Sequence, residues 1–109
     1  MSGSGALVVG GTRGIGLAIA CQFASAGDRV SVIARRAPTA APGAALAFYD
    51  ADLEDDRAID RAMDAYLAEQ PVPERIVFAQ RARGAAAVWK AEIQVSLSAT
   101  RQIIERLMA

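Results

Sequence analysis

The sequence predicts an α/β chain folded as one wing of a doubly wound parallel sheet. Three observations carry that expectation. Short apolar runs alternate with helical patterns in the order β-α-β-β-α-β-α; the first run leads directly into the glycine-rich stretch "VVGGTRGIG"; and neither repeats nor low-complexity tracts interrupt the alternation. With 109 residues, 53% of them hydrophobic and 22% charged, the chain has the composition of one folded domain with a real core.

Taken in order, residues 2–5 read Ser-Gly-Ser-Gly, a flexible lead-in, and residues 6–9 (Ala-Leu-Val-Val) are wholly apolar, as a strand buried on both faces of a parallel sheet must be. Residues 15–26 carry Ile15, Ile19 and Phe23 at intervals of four, which predicts a helix, and Gly27 stands where a helix-ending glycine would. Residues 29–34 are rich in β-branched side chains and make a second strand, followed by a surface loop, "RRAPTAAPGA", with two prolines. Residues 45–49 form a third short strand. Residues 54–69 place Ile59, Met63, Tyr66 and Leu67 on one stripe, an amphipathic helix stopped by "QPVPE". Residues 75–78 are the fourth strand. Residues 88–108 read as a last helix with Trp89, Ile93, Leu97, Ile104 and Met108 along one side, leaving Val95 and Ile103 as apolar surface away from that stripe.

Charge and residue usage exclude several function classes. Twelve basic residues balance twelve acidic ones, so no net field draws the chain to nucleic acid or to an anionic membrane, and any anion site must be local. The single cysteine, Cys21, excludes an internal disulfide and reads as a small buried hydrophobe. Histidine is absent, which removes the commonest general base and metal ligand together. Glu54, Asp55 and Asp56 fall at a helix start, where carboxylates favour the dipole, and nothing else completes a metal site. No apolar run approaches membrane-spanning length and the N-terminus lacks a secretion pattern, so a cytoplasmic location is expected.

Right-handed crossovers between parallel strands give the strand order 3-2-1-4, a partial Rossmann-type sheet. In that arrangement the loop after the first strand runs into the N-terminus of the first helix, where unpaired N–H groups and the positive dipole end attract a pyrophosphate. Four glycines within seven residues then have a cause. Gly10 permits the tight turn, Gly14 the close approach of phosphate, and Gly16 the close packing of helix on strand.

The spacing Gly10-x-x-x-Gly14-x-Gly16, within "GGTRGIGLAIA", resembles the short-chain dehydrogenase/reductase family, with Val9 where the family usually has threonine. Asp52-Leu53 matches the family's aspartate followed by an aliphatic residue that contacts adenine. The resemblance spans nearly the whole chain and implies a single NAD(P)-binding domain over residues 1–109, incomplete relative to the family. It implies a dinucleotide site formed by Gly10, Thr12, Arg13, Gly14, Ile15, Gly16, Arg35, Asp52 and Leu53. An NAD site places a carboxylate at the end of the second strand, roughly 20 residues past the glycines. Here Ala34 takes that position, and Arg13 and Arg35 can flank a 2′-phosphate, so NADP(H) is expected in preference to NAD(H). Arg36 reads as solvated.

The resemblance also implies hydride transfer between the nicotinamide and a carbonyl or alcohol, with a tyrosine passing the proton, a lysine four residues later lowering its pKa, and a serine holding the substrate oxygen. No Tyr-x-x-x-Lys exists in this chain. Leu53 and Gln70 lie four residues beyond Tyr49 and Tyr66, and Ala86 four before the only lysine, Lys90. The family places these groups after the helix that ends this sequence, so the expectation is a chain truncated before the catalytic half, with a carbonyl or alcohol substrate only in the complete enzyme. A non-catalytic dinucleotide-binding or interaction module is the alternative. Phe78-Ala79-Gln80-Arg81 stands where the family has Asn-Asn-Ala-Gly, and Ser96 where it has a relay asparagine. These departures mark a divergent branch, and Gln80, Arg81 and Arg83 read as solvated loop residues. The uncovered fourth strand and the last helix lead us to expect a homo-oligomer.

Overall fold

Four parallel strands form the centre of the protein. The computed structural model describes residues 5–10, 14–36, 46–80 and 93–108. Strands β1 (Gly5–Val9), β2 (Arg29–Ala34), β3 (Leu46–Asp50) and β4 (Arg75–Phe78) lie in the order β3-β2-β1-β4, as the crossover argument requires. The register pairs Leu7 with Ser31 and with Ile76, and Val32 with Phe48. Among the described residues β4 has a strand on one side only.

Alternation along each strand builds two cores. Ala6, Val8, Val30, Val32 and Ala34 point to one face, where helix α1 (Gly14–Ser25) covers them through Ala20, Ile19 and Phe23. Leu7, Val9 and Ile33 point to the other, beneath helix α2 (Asp56–Glu69) and the last helix, α3 (Ala99–Met108). Helices on both faces are the doubly wound arrangement.

The helix ends follow local chemistry. At the C-terminus of α1 the Asp28 N–H donates to the Phe23 carbonyl and the Gly27 N–H to that of Ala24, both at 3.0 Å. Gly27 adopts φ +94°, completing the Schellman turn that glycine alone enters without strain. Asp55 caps α2, its side chain accepting from the N–H groups of Arg57 at 3.0 Å and Ala58 at 3.4 Å. The acidic run therefore starts a helix, as expected. Arg75, at the head of β4, pairs with Asp28 at 2.9 Å and lies over the Phe23 ring, pinning the end of α1 to the sheet. Between α2 and α3, Arg106 bonds Asp60 and Asp64, and Gln102 Nε2 donates to the Asp60 carboxylate at 3.1 Å.

Three expectations are corrected. Ile15 is not part of the buried face of α1 but is 77% exposed; Gly16 and Ala20 occupy the contact, because small side chains let the helix lie close to the sheet. Cys21 on the same helix is half-buried. The last helix shows the opposite face. Val95, Ala99, Ile103 and Leu107 are buried, whereas Ile93, Leu97, Ile104 and Met108 are exposed. Both stripes have helical spacing, so periodicity alone does not choose between them; the fit against α2 and β4 does. A π-helical turn, Ile93–Ser98, precedes α3, and the expected part of this helix at residues 88–92, with Trp89, lies outside the described residues.

This inversion is testable. Ile103→Ala should cost about 2–5 kcal/mol, the range for truncating a fully buried isoleucine. Leu97→Ala should change stability by less than about 1 kcal/mol, as a surface substitution does. Urea unfolding of both variants measures the contrast.

Candidate functional site

Parallel strands bring all their carboxyl ends to one edge, and in open α/β sheets that edge holds the ligand, at the point where the strand order reverses. Here the reversal lies between β1 and β4. The strand ends meet there through continuing hydrogen bonds: Gly10 N–H to the Ile33 carbonyl at 2.7 Å, Ala51 N–H to Ala34 at 2.9 Å, and Ala79 N–H to Val9 at 2.8 Å.

Gly10 turns the chain out of β1 with φ +84°. A Cβ on it would stand 2.8 Å from both the Cα and the N of Gln80 and 3.0 Å from the Ala79 carbonyl carbon, so glycine is required by space as well as by conformation. Helix α1 opens at Gly14 with Gly16 buried beneath it. Its first turn holds no acidic residue, whereas the first turn of α2 carries Asp56 behind the Asp55 cap. The dipole end of α1 is thus free of its own first-turn carboxylate, which suits an incoming anion. Ile15 projects from this end into solvent.

The remaining predicted positions divide. Ala34 ends β2 at 6% exposure with its methyl in the α1-side core, and Arg35 follows it, exposed. Asp52 is exposed at the end of β3, its carboxylate accepting from the Glu54 N–H at 3.0 Å. The Leu53 side chain packs into the core with Ile59 and Val95, while its carbonyl accepts from Gln94 Nε2 at 3.2 Å. Thr12 and Arg13 lie outside the described residues, as do Arg81, Arg83 and Lys90.

Tyr66 lies on α2 and Tyr49 on β3, both in the core on the α2 side of the sheet. Their rings meet edge to face at 5.6 Å; Tyr49 donates to Glu69 at 2.6 Å and Tyr66 to the Pro71 carbonyl at 3.3 Å. Burial raises the pKa of both, that of Tyr66 to about 12, with the Tyr49 hydroxyl adding to the rise. A tyrosine that passes a proton in catalysis needs a shift the other way. These two are structural donors.

Gln80 is the residue that sequence reasoning misjudged. Rather than a solvated loop residue it is half-buried, donating through Nε2 to the Val95 carbonyl at 3.1 Å and to Thr100 Oγ1 at 2.8 Å. Thr100 in turn donates to the Ser96 carbonyl at 2.9 Å, which leaves its oxygen to accept from Gln80. Among the described residues Gln80 Oε1 is buried without a hydrogen-bond partner. The only signal in the sequence was a polar residue directly after an apolar strand.

Gly10→Ala should destabilise the protein by about 1–3 kcal/mol, the cost of forcing a side chain into a conformation it rarely adopts, with the overlap on Gln80 added. Denaturant midpoints compared with Gly27→Ala, where a Cβ meets nothing within 4 Å, separate the overlap from the backbone strain.

Comparison with known proteins agrees with this geometry. A family model described as short chain dehydrogenase matches residues 4–72. A 3-dehydrosphinganine reductase of Arabidopsis thaliana is 38% identical over 68 residues, covering 54% of this chain and 21% of that protein. Among solved structures, an actinorhodin polyketide ketoreductase with NADPH superposes with a TM-score of 0.79 at 23% identity, over 99% of this chain and 48% of that one. L-Sorbose reductase from Gluconobacter frateurii, complexed with NADPH and L-sorbose, gives 0.80 at 20% identity over 99% and 47%. The chain spans about a fifth of the curated relative and about half of the solved ones. No helix among the described residues is long and apolar enough to cross a membrane. With the family model matching well over half of its length, and with the strand order β3-β2-β1-β4, the chain belongs to the short-chain dehydrogenase/reductase family.

Proposed function

We propose that this chain is the dinucleotide-binding part of a short-chain dehydrogenase/reductase that uses NADP(H). The observation that carries the reading is the end of β2: Ala34 leaves no carboxylate there, and exposed Arg35 follows. A carboxylate at that position would accept from the ribose hydroxyls and repel a 2′-phosphate. Its replacement by a guanidinium supports the phosphorylated cofactor, with Arg13 from the glycine loop as second partner. NADPH in the ketoreductase and L-sorbose reductase complexes supports the same choice.

In this reading Gly10, Thr12, Gly14, Ile15 and Gly16 shape the pyrophosphate end, with the α1 dipole favouring its charge, and Asp52 and Leu53 border the adenine. Bound NADP(H) supplies hydride to a carbonyl or accepts it from an alcohol. The serine, tyrosine and lysine that hold the substrate oxygen and move its proton belong to the complete enzyme rather than to these 109 residues. A homo-oligomer in the cytoplasm is the form we expect. Among the described residues β4 is paired on one side only, and this edge together with the exposed Ile93, Leu97, Ile104 and Met108 supports association.

Titration with NADPH and NADH tests the cofactor choice. NADPH should bind more tightly, and Arg35→Ala should remove about 1–3 kcal/mol of NADPH affinity while leaving NADH unchanged, as expected for a charge-assisted hydrogen bond. Equal affinities would overturn the assignment. The 109-residue chain should also turn over no NADPH with a panel of ketones. A rate above buffer that disappears on Gly14→Asp would place a proton donor within it.

A further inference from the structure

Gln80 joins two parts of the crevice that the dinucleotide reading leaves unconnected. Its backbone abuts Gly10, where a Cβ would come within 2.8 Å of it, while its side chain reaches the turn before α3. We propose that Gln80 is a positioning residue whose amide holds the π-helical turn Ile93–Ser98 in fixed relation to Gly10 at the end of β1. For its ligand the proposal rests on the dinucleotide reading; for its geometry it does not.

Both N–H groups of the amide are used, one on the Val95 carbonyl and one on Thr100 Oγ1. Those partners are five residues apart, the separation that one π-helical turn closes. A side chain inserted into the hydrogen-bond ladder is an identified cause of helix distortion, and here the inserted group is Gln80. The same turn is held from a second side. Gln94 Nε2 donates to the Leu53 carbonyl at 3.2 Å, at the end of β3, so the turn braces the segments that follow β3 and β4.

The unpaired acceptor argues that position, not stability, explains this glutamine. Among the described residues Gln80 Oε1 is buried without a partner, and methionine would fill the same length without desolvating a carbonyl. A residue serving only to pack would not bring that cost.

The experiment uses the full-length protein with NADPH as probe and compares Gln80→Met, Gln80→Glu and Thr100→Val with wild type. In Gln80→Met the lost bonds and the removed orphan acceptor offset each other. The melting temperature should therefore move little while NADPH binding weakens about tenfold. Thr100→Val, which removes one of the two Gln80 bonds together with the Thr100–Ser96 bond, should weaken it less. In Gln80→Glu only the protonated carboxyl has a donor, so NADPH affinity should approach wild type near about pH 5 and fall as pH rises, whereas wild type shows no such added pH dependence. Variants that bind as wild type does, or whose affinity and melting temperature fall in parallel with no pH dependence in Gln80→Glu, overturn the proposal. If wild type does not bind NADPH, the dinucleotide reading fails, and amide exchange decides the coupling: lost protection at Gly10 in Thr100→Val supports it, unchanged protection refutes it. Should Gln80→Met not fold, Thr100→Val decides the matter by the same two measurements.

Discussion

A side chain at position 10 would overlap the backbone of Ala79 and Gln80, and much of the structure follows from that close approach. It brings the ends of β1 and β4 together where the strand order reverses and turns the chain toward α1. In open α/β sheets such a reversal of strand order is where a ligand crevice forms. A left-handed backbone conformation and a 2.8 Å approach are both met only by glycine. The close approach is therefore built into the strand pairing itself.

Packing on the two faces of the sheet then divides the labour. On the α1 side the contact is made by Gly16 and Ala20, with Ile19 and Phe23 flanking, so the helix lies close to the sheet. On the other side larger residues, Ile59, Met63, Tyr66 and Ile103, fill the space between sheet and two helices. The α1 side is the thin layer and the α2 side the thick one. The same logic places both tyrosines: they belong to the thick layer, where burial keeps their hydroxyls protonated as donors to Glu69 and the Pro71 carbonyl.

The departure from the family pattern after β4 acquires a physical meaning in this setting. Where Asn-Asn-Ala-Gly is usual, Phe78 packs against the α2-side core and Gln80 reaches into the last helix. The strand end is tied to a helix by a side chain. What looked like a solvated loop in the sequence is a contact between elements fifteen and twenty residues apart.

Local chemistry was legible in the sequence wherever one residue's requirement decided the outcome. The apolar runs became β1 and β2, Asp55 became a cap, Gly27 ended α1, and right-handed crossovers gave the order β3-β2-β1-β4. The same holds for Gly10, whose left-handed backbone and close approach to Gln80 exclude a side chain. Choices between equivalent local solutions were not legible. Ile93 and Val95 head two stripes with the same helical period, and which one turns inward depends on the shape of the surface that α2 and β4 present. Ile15 keeps the period of Ile19 and Phe23, yet the closeness of α1 to the sheet leaves room there only for Gly16 and Ala20. The partners of Gln80 lie across the fold, so its role was decided by tertiary structure alone: periodicity reports the repeat of a pattern along one element, and only packing reports which face of that element another will cover.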